Sequence, residues 1–150
     1  MENSFRDINI AFVNEMARSF DNLGIDVTEV IKALGEIKTP ESIQALVGAL
    51  GHRNIFVRQT ASDALCTLGE PAAALLLKAL PESSGKTKLE VIKTVGKAAV
   101  SNAVPMLLTS LQDKDWTVRA RAADALGGIA DKATAPQLIK VLQEDKDWTV

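Results

Sequence analysis

A six-residue phrase occurs twice in this chain, 32 residues apart: Asp113-Lys114-Asp115-Trp116-Thr117-Val118 returns as Asp145-Lys146-Asp147-Trp148-Thr149-Val150. Self-similarity at a period of this size restricts the fold to stacked repeats, because each unit is a small supersecondary piece that buries its apolar side only against the next. Anchored on Ala125-Leu126-Gly127, the same register recurs at Thr94-Val95-Gly96, Ala64-Leu65-Cys66 and Ala33-Leu34-Gly35, so the central residues 34, 65, 95 and 126 are spaced by 31, 30 and 31. The outermost two registers align without a gap over 18 residues, ALGEIKTPESIQALVGAL on ALGGIADKATAPQLIKVL.

Each unit holds two helices. The first carries apolar residues at helical spacing, as in Val118, Ala122, Ala125, Leu126 and Ile129, and the second does the same at Leu138, Ile139, Val141 and Leu142. Helices this short are marginal alone in water, so each pair draws its stability from its neighbours. Small residues at Ala61, Ser62, Ala64, Ala122, Ala123 and Ala125 let the backbones approach, and the leucines fill the seam. With 47% hydrophobic residues but only 4% aromatics and no Tyr, the core is aliphatic, which suits stacked helices better than a sheet. The expected fold is all-α: a right-handed α-solenoid of antiparallel helix pairs. The units fall at about 26–52, 53–82, 83–113 and 114–144, followed by the start of a fifth and preceded by an N-terminal helix within 1–25.

Capping signals place the elements. Ser4, with Asp7 three residues on, opens a helix to about Phe20, which Asn22-Leu23-Gly24 ends. Asp26 starts a second helix reaching about Ile37, and Thr39-Pro40 starts a third over 40–50. Asn54 caps a helix through Leu68; Glu70-Pro71 opens its partner, which Pro81 ends just beyond Leu80. Residues 81–85, Pro-Glu-Ser-Ser-Gly, read as the loosest linker. Helices over 86–98 and 102–111 make the third unit, while Asp115 and Pro136 open the two helices of the fourth. The last six residues read as the beginning of a further unit, so the expectation is a piece of a longer array.

The units resemble HEAT-like repeats of the phycobilisome-lyase type, which read V-R-x-x-A-A-x-A-L-G-x-I-G-D followed by x-x-A-x-P-x-L-x-x-L-L. Val57-Arg58, Ala61, Ala64-Leu65, Val118-Arg119, Ala122-Ala123, Ala125-Leu126-Gly127, Pro136, Leu138 and Leu142 carry the match, which covers about 26–150. The third unit departs from it, with Thr87-Lys88 for Val-Arg and Val91-Ile92 for Ala-Ala. The resemblance implies a non-enzymatic scaffold for protein partners, or alternatively a bilin lyase or chaperone. It also implies a concave face built from the variable positions of the first helices: Thr28, Glu29, Lys32 and Glu36; Gln59, Thr60, Asp63 and Thr67; Leu89, Glu90, Lys93 and Lys97; Ala120, Arg121, Asp124 and Gly128. These positions lie opposite the core-facing stripe, and their mixed charge and lack of aromatics imply a polar surface of modest affinity. Arg58 and Arg119 suit pairing with an acidic residue of the adjoining unit.

The first thirty or so residues do not read as such a unit. Asn3-Ser4-Phe5-Arg6-Asp7-Ile8-Asn9-Ile10-Ala11 and Leu23-Gly24-Ile25-Asp26-Val27 resemble the central helix of nucleotide-sugar dehydrogenases of the UDP-N-acetylmannosamine and UDP-glucose type. The lysine that this family carries four residues before the asparagine matching Asn3 has no counterpart here. Nor do its catalytic cysteine segment or a G-x-G-x-x-G, so the chain retains no means to run that reaction. The resemblance leaves two uses for Ile8, Phe12, Met16 and Phe20: covering the first unit, or seeding a homodimer. It also leaves a remnant sugar-nucleotide binder open.

Other chemistry is poorly supplied. His52 is the only histidine and Cys66 the only cysteine, so no metal cluster or catalytic triad is written and no cofactor is expected. Cys66 takes the place that glycine holds in other units, and reads as an inert structural thiol in a reduced, cytoplasmic protein. Asp113, Asp115, Asp145 and Asp147 read as helix caps. No apolar run reaches the ~18 residues of a membrane span. A net charge of −2 argues against a nucleic-acid role, which calls for a basic footprint.

Overall fold

The computed structural model describes residues 26–129 and 132–144. These form eight helices: α1 (Val27–Ile37), α2 (Pro40–Ala49), α3 (Ile55–Leu68), α4 (Glu70–Glu82), α5 (Gly85–Lys97), α6 (Val104–Ser110), α7 (Trp116–Ile129) and α8 (Ala135–Glu144). Single 3-10 turns, Ser101–Ala103 and Lys132–Thr134, lead into α6 and α8. No strand occurs among the described residues. The expected N-terminal helix, with Ile8, Phe12, Met16 and Phe20, and the repeated phrase at 145–150 lie outside them.

The starts follow the side chains that expectation put there. Asp26 Oδ1 accepts from the Thr28 N–H at 2.8 Å, Thr39 Oγ1 from the Ser42 N–H at 3.2 Å, Asn54 Oδ1 from the Phe56 N–H at 2.9 Å, and Asp115 Oδ1 from the Thr117 N–H at 2.9 Å. Each satisfies one of the donors that a helix start leaves without a partner.

One boundary differs. The helix expected to stop just beyond Leu80 runs through Pro81 to Glu82, and the next starts at Gly85, so the five-residue linker shrinks to Ser83 and Ser84. Proline is tolerable so near the end, where few downstream bonds depend on it. The Ser83 hydroxyl donates to the Ala79 carbonyl at 2.6 Å and helps close the last turn.

The four pairs stack through a recurring pattern. First helices pack on first helices, α1 on α3, α3 on α5 and α5 on α7, while each second helix also packs on the next unit's first, α2 on α3, α4 on α5 and α6 on α7. Leu46, Leu50, Leu65, Leu76, Ile92, Leu107 and Leu126 are fully buried in this row. Each such side chain contributes roughly 1.5–3 kcal/mol by leaving water. Of the register residues, Leu65, Val95 and Leu126 are buried, and Leu34, in the first unit, is half-buried.

Chain direction reverses after the first helices through a left-handed residue four positions beyond the register residue: Lys38 (φ 58°), Gly69 (φ 68°) and Ala99 (φ 50°). After α5 the Val100 N–H reaches back to the Val95 carbonyl at 3.2 Å and the Ala99 N–H to that of Gly96 at 3.0 Å, a Schellman closure.

Candidate functional site

Stacking aligns the outward sides of the first helices. In α3 the buried side is Val57, Ala61, Ser62 and Leu65, and in α7 it is Val118, Ala122, Ala125 and Leu126. Opposite these, Gln59, Asp63 and Thr67 of α3 and Arg121 and Asp124 of α7 are exposed, as are Glu29, Lys32 and Glu36 of α1 and Lys97 of α5. Thr28, Thr60, Leu89, Glu90, Lys93 and Ala120 are half-buried.

Several of these sixteen positions are engaged within the protein. Thr28 Oγ1 hydrogen-bonds to Asp26 Oδ1 at 2.6 Å, so its hydroxyl belongs to the cap. Thr60 and Thr67 donate to the carbonyls of Phe56 and Asp63 at 2.9 and 3.0 Å. Leu89 packs against the core. Gly128 is exposed but lies on the seam: a Cβ there would stand 3.0 Å from the Gly96 carbonyl oxygen.

Charge pairs lace the stripe. Lys32 holds Glu29 at 2.6 Å, and Arg121 stands 3.5 Å from Asp124, both within one helix. Lys97 of α5 pairs with Asp63 of α3 across a unit boundary, and this contact raises the lysine pKa. Arg58 Nε donates to Glu90 Oε1 of the next unit at 3.3 Å, with Lys93 Nζ 3.5 Å from Oε2. That is the inter-unit pairing expected of Arg58. Its Nη1 also donates to the carbonyls of His52 and Arg53 at 2.8 and 3.0 Å. Arg119 repeats this at Asp113 and Lys114, at 3.0 and 3.3 Å. The two arginines thus tie down the turn that precedes their own helix.

The remaining polar groups are structural. Asp113 accepts from the Asp115 N–H at 3.0 Å and from Lys88 Nζ at 2.6 Å. Its carboxyl is held below the usual range by that backbone bond first and by the lysine second. Asp115 is lowered by the Thr117 hydroxyl and N–H, and Asp26 likewise by those of Thr28. His52 is buried, its Nδ1 accepting from the Asn54 N–H at 3.1 Å. Burial pushes the Cys66 thiol up, which favours the unreactive protonated form. Among the described residues no group of three or more His, Cys, Asp or Glu is placed to hold a metal ion.

Sequence reasoning passed over three side chains on this side of the molecule. Ile55, Phe56 and Trp116 are exposed large apolar residues in the first turns of α3 and α7. Their signal was available: each stands one or two residues before a core-facing valine, a position that helical periodicity turns outward.

Such an arrangement defines an α-solenoid repeat protein, with one lateral face made of equivalent positions from successive units. The chain belongs to the HEAT-repeat family: the model described as HEAT repeats matches residues 28–84 and 73–150. It is similar to the phycobilisome maturation protein of Synechococcus elongatus, at 26% identity over 137 residues, covering 83% of this chain and 66% of that protein. It is equally similar to the phycocyanobilin lyase subunit beta of Nostoc sp., at 26% identity over 137 residues, covering 81% of this chain and 68% of that one. Residues 1–53 match the central domain of the UDP-glucose/GDP-mannose dehydrogenase family. Within that region the chain is 45% identical over 51 residues to the UDP-N-acetyl-D-mannosamine dehydrogenase of Campylobacter jejuni, covering 34% of this chain but 12% of the enzyme. The chain therefore spans about two thirds of the phycobilisome-related proteins and a small part of the dehydrogenase. Among the described residues no helix is long and apolar enough to cross a membrane.

Proposed function

We propose that the chain is a non-enzymatic, cytoplasmic scaffold that binds another protein along the outward, concave side of its first helices. One observation supports this reading above the others: Glu29, Lys32, Gln59, Asp63, Lys97, Arg121 and Asp124 are exposed on the first helices of four successive units, and those helices pack one on the next. A solenoid presents such a face as an extended surface without needing a pocket. The test is capture of a partner by the immobilised full chain, repeated with Arg121→Glu and Asp124→Lys together. Loss of the captured protein supports the stripe, and undiminished capture rejects it.

A second reading is favoured by the likeness to the phycocyanobilin lyase subunit: a lyase or chaperone for bilin attachment. It predicts a shifted and intensified absorbance band when the chain is mixed with phycocyanobilin; an unchanged spectrum dismisses it. The dehydrogenase-like region at 1–53 supports a third, narrower reading, a homodimer through the N-terminal helix or a retained sugar-nucleotide contact. Sedimentation equilibrium and calorimetry with UDP-sugars test its two halves separately.

A further inference from the structure

We infer that the partner segment is acidic, carries two apolar side chains about five or six residues apart, and docks in extended form across the N-terminal ends of α3, α5 and α7. This rests on the scaffold reading and gives its partner a chemistry.

Three observations converge on that edge. Phe56, Ile55 and Trp116 are 67%, 52% and 45% exposed, and they are three of the five exposed large apolar residues among the described ones, the others being Ile37 and Ile139. Ile55 and Trp116 occupy the same register position, two residues before Val57 and Val118, in units two apart. The equivalent residue of the intervening unit is Gly85, which has no side chain and meets nothing within 4 Å, so the two apolar ridges flank an open step.

The edge is also positively charged. The turns leading into these helices, 52–58, 82–88 and 113–119, hold six lysines and arginines against three carboxylates, in a chain of net charge −2. Two of the six cations are already paired, Lys88 with Asp113 and Arg58 with Glu90, while Asp115 caps α7. Arg53, Lys86 and Lys114 are exposed and enter no ion pair among the described residues. None of the three helices has an acidic residue in its first turn. The positive dipole ends of α3 and α5, whose cap residues Asn54 and Ser84 are uncharged, add to the surplus.

The same edge continues the proposed binding stripe. Phe56 stands one turn before Gln59 and Thr60, and Trp116 one turn before Ala120, so on α3 and α7 an aromatic anchor adjoins a position of the stripe. Neighbouring helix axes lie ~8–10 Å apart, which separates the two anchors by roughly 16–20 Å. An extended chain covers ~3.3 Å per residue, hence the spacing of five or six residues, with the intervening carboxylates over Lys86. Large, partly exposed aromatics of this kind supply most of the energy in protein interfaces.

The probe is a random dodecapeptide phage library selected on the full chain, with a single-stranded oligodeoxynucleotide of twelve residues as a second ligand. The expected result is enrichment of acidic peptides with two apolar residues five or six apart. Their affinity falls about ten-fold or more in Phe56→Ala and in Trp116→Ala, and also falls in Lys86→Glu. Circular dichroism of these surface variants matches the parent. No acidic consensus, peptides that bind the Phe56→Ala/Trp116→Ala double variant as tightly as the parent, or tighter binding of the oligonucleotide overturns the inference. Selected peptides that ignore these variants but are lost on reversing Arg121 and Asp124 preserve the stripe and reject the edge. The opposite pattern preserves the edge and rejects the stripe.

Discussion

The seam between α5 and α7 and the seam between α3 and α5 join equivalent helices by different means. At α5–α7 the contact is backbone on backbone: a Cβ on Gly96 would lie 2.5 Å from Ala125 Cα, and one on Gly128 would lie 3.0 Å from the Gly96 oxygen. At α3–α5 the residue matching Gly96 is Cys66, and the contact is made by side chains. Its Sγ stands 3.9 Å from the Thr94 carbonyl, the Thr94 hydroxyl hydrogen-bonds to Ser62 Oγ at 2.9 Å, and ion pairs Arg58–Glu90 and Lys97–Asp63 flank the seam. Cys66 in place of glycine, with Thr94 and Ser62 across from it, thus accompanies a polar, side-chain-filled joint where Gly96 accompanies packed backbone. The α1–α3 seam is intermediate, with a Gly35 Cβ placed 3.1 Å from Ala64 Cβ.

This contrast can be broken by substitution. Gly96→Ala forces apart two backbones in close contact, and a loss of roughly 1–3 kcal/mol is expected, net of the better helix propensity of alanine. Urea denaturation of the full chain measures it, and an unchanged midpoint would show that the seam yields freely. Thr94→Val strands the buried Ser62 hydroxyl and costs roughly 1–2 kcal/mol. Adding Ser62→Ala recovers part of that loss, so a double-mutant cycle on thermal midpoints should return a coupling term; strictly additive effects would remove the hydrogen bond from the account. Gly127 occupies the same register position as Gly96, yet nothing lies within 4 Å of its Cβ direction. Gly127→Ala is therefore expected to stabilise by about 0.5–1 kcal/mol, opposite in sign to Gly96→Ala.

The smallest effect concerns acid. Asp26, Asp113 and Asp115 have carboxyls lowered from an ordinary value of 3.8 by the bonds they accept. Groups lowered on folding lend stability that is full above the unfolded value and is lost as pH falls through the folded one. Stability should therefore drop below about pH 4, and less so in Asp113→Asn/Asp115→Asn, a difference that chemical denaturation between about pH 5 and pH 2 reads directly.

Much of the architecture was legible because the capping residues and the register triplet act locally. Asp26, Thr39, Asn54 and Asp115 mark helix starts through a bond to an amide two or three residues on, and such a signal survives in the sequence whatever packs around it. The left-handed residues were less visible. Gly69 announces itself, but Lys38 and Ala99 also take a positive φ, without the residue type that normally reveals it. The continuation of α4 through Pro81 depends on a serine closing the final turn, and the place of Gly128 on the seam depends on how close two helices come. The first is local to α4 and its cap, whereas the second is a property of two elements. The variable positions came from the resemblance to the repeat family, and six of them, Thr28, Thr60, Leu89, Glu90, Lys93 and Ala120, are half-buried because capping and packing within the stack engage them.

Amide hydrogen exchange on the full chain, read by mass spectrometry, tests the central claim that each unit is held by its neighbours. Helix α5, flanked by first helices on both sides and with Val91, Ile92 and Val95 fully buried, should exchange most slowly, with α1 and α8 fastest and the others between. Equal protection throughout, or slower exchange in α8 than in α5, would contradict an account in which stability is passed from one unit to the next.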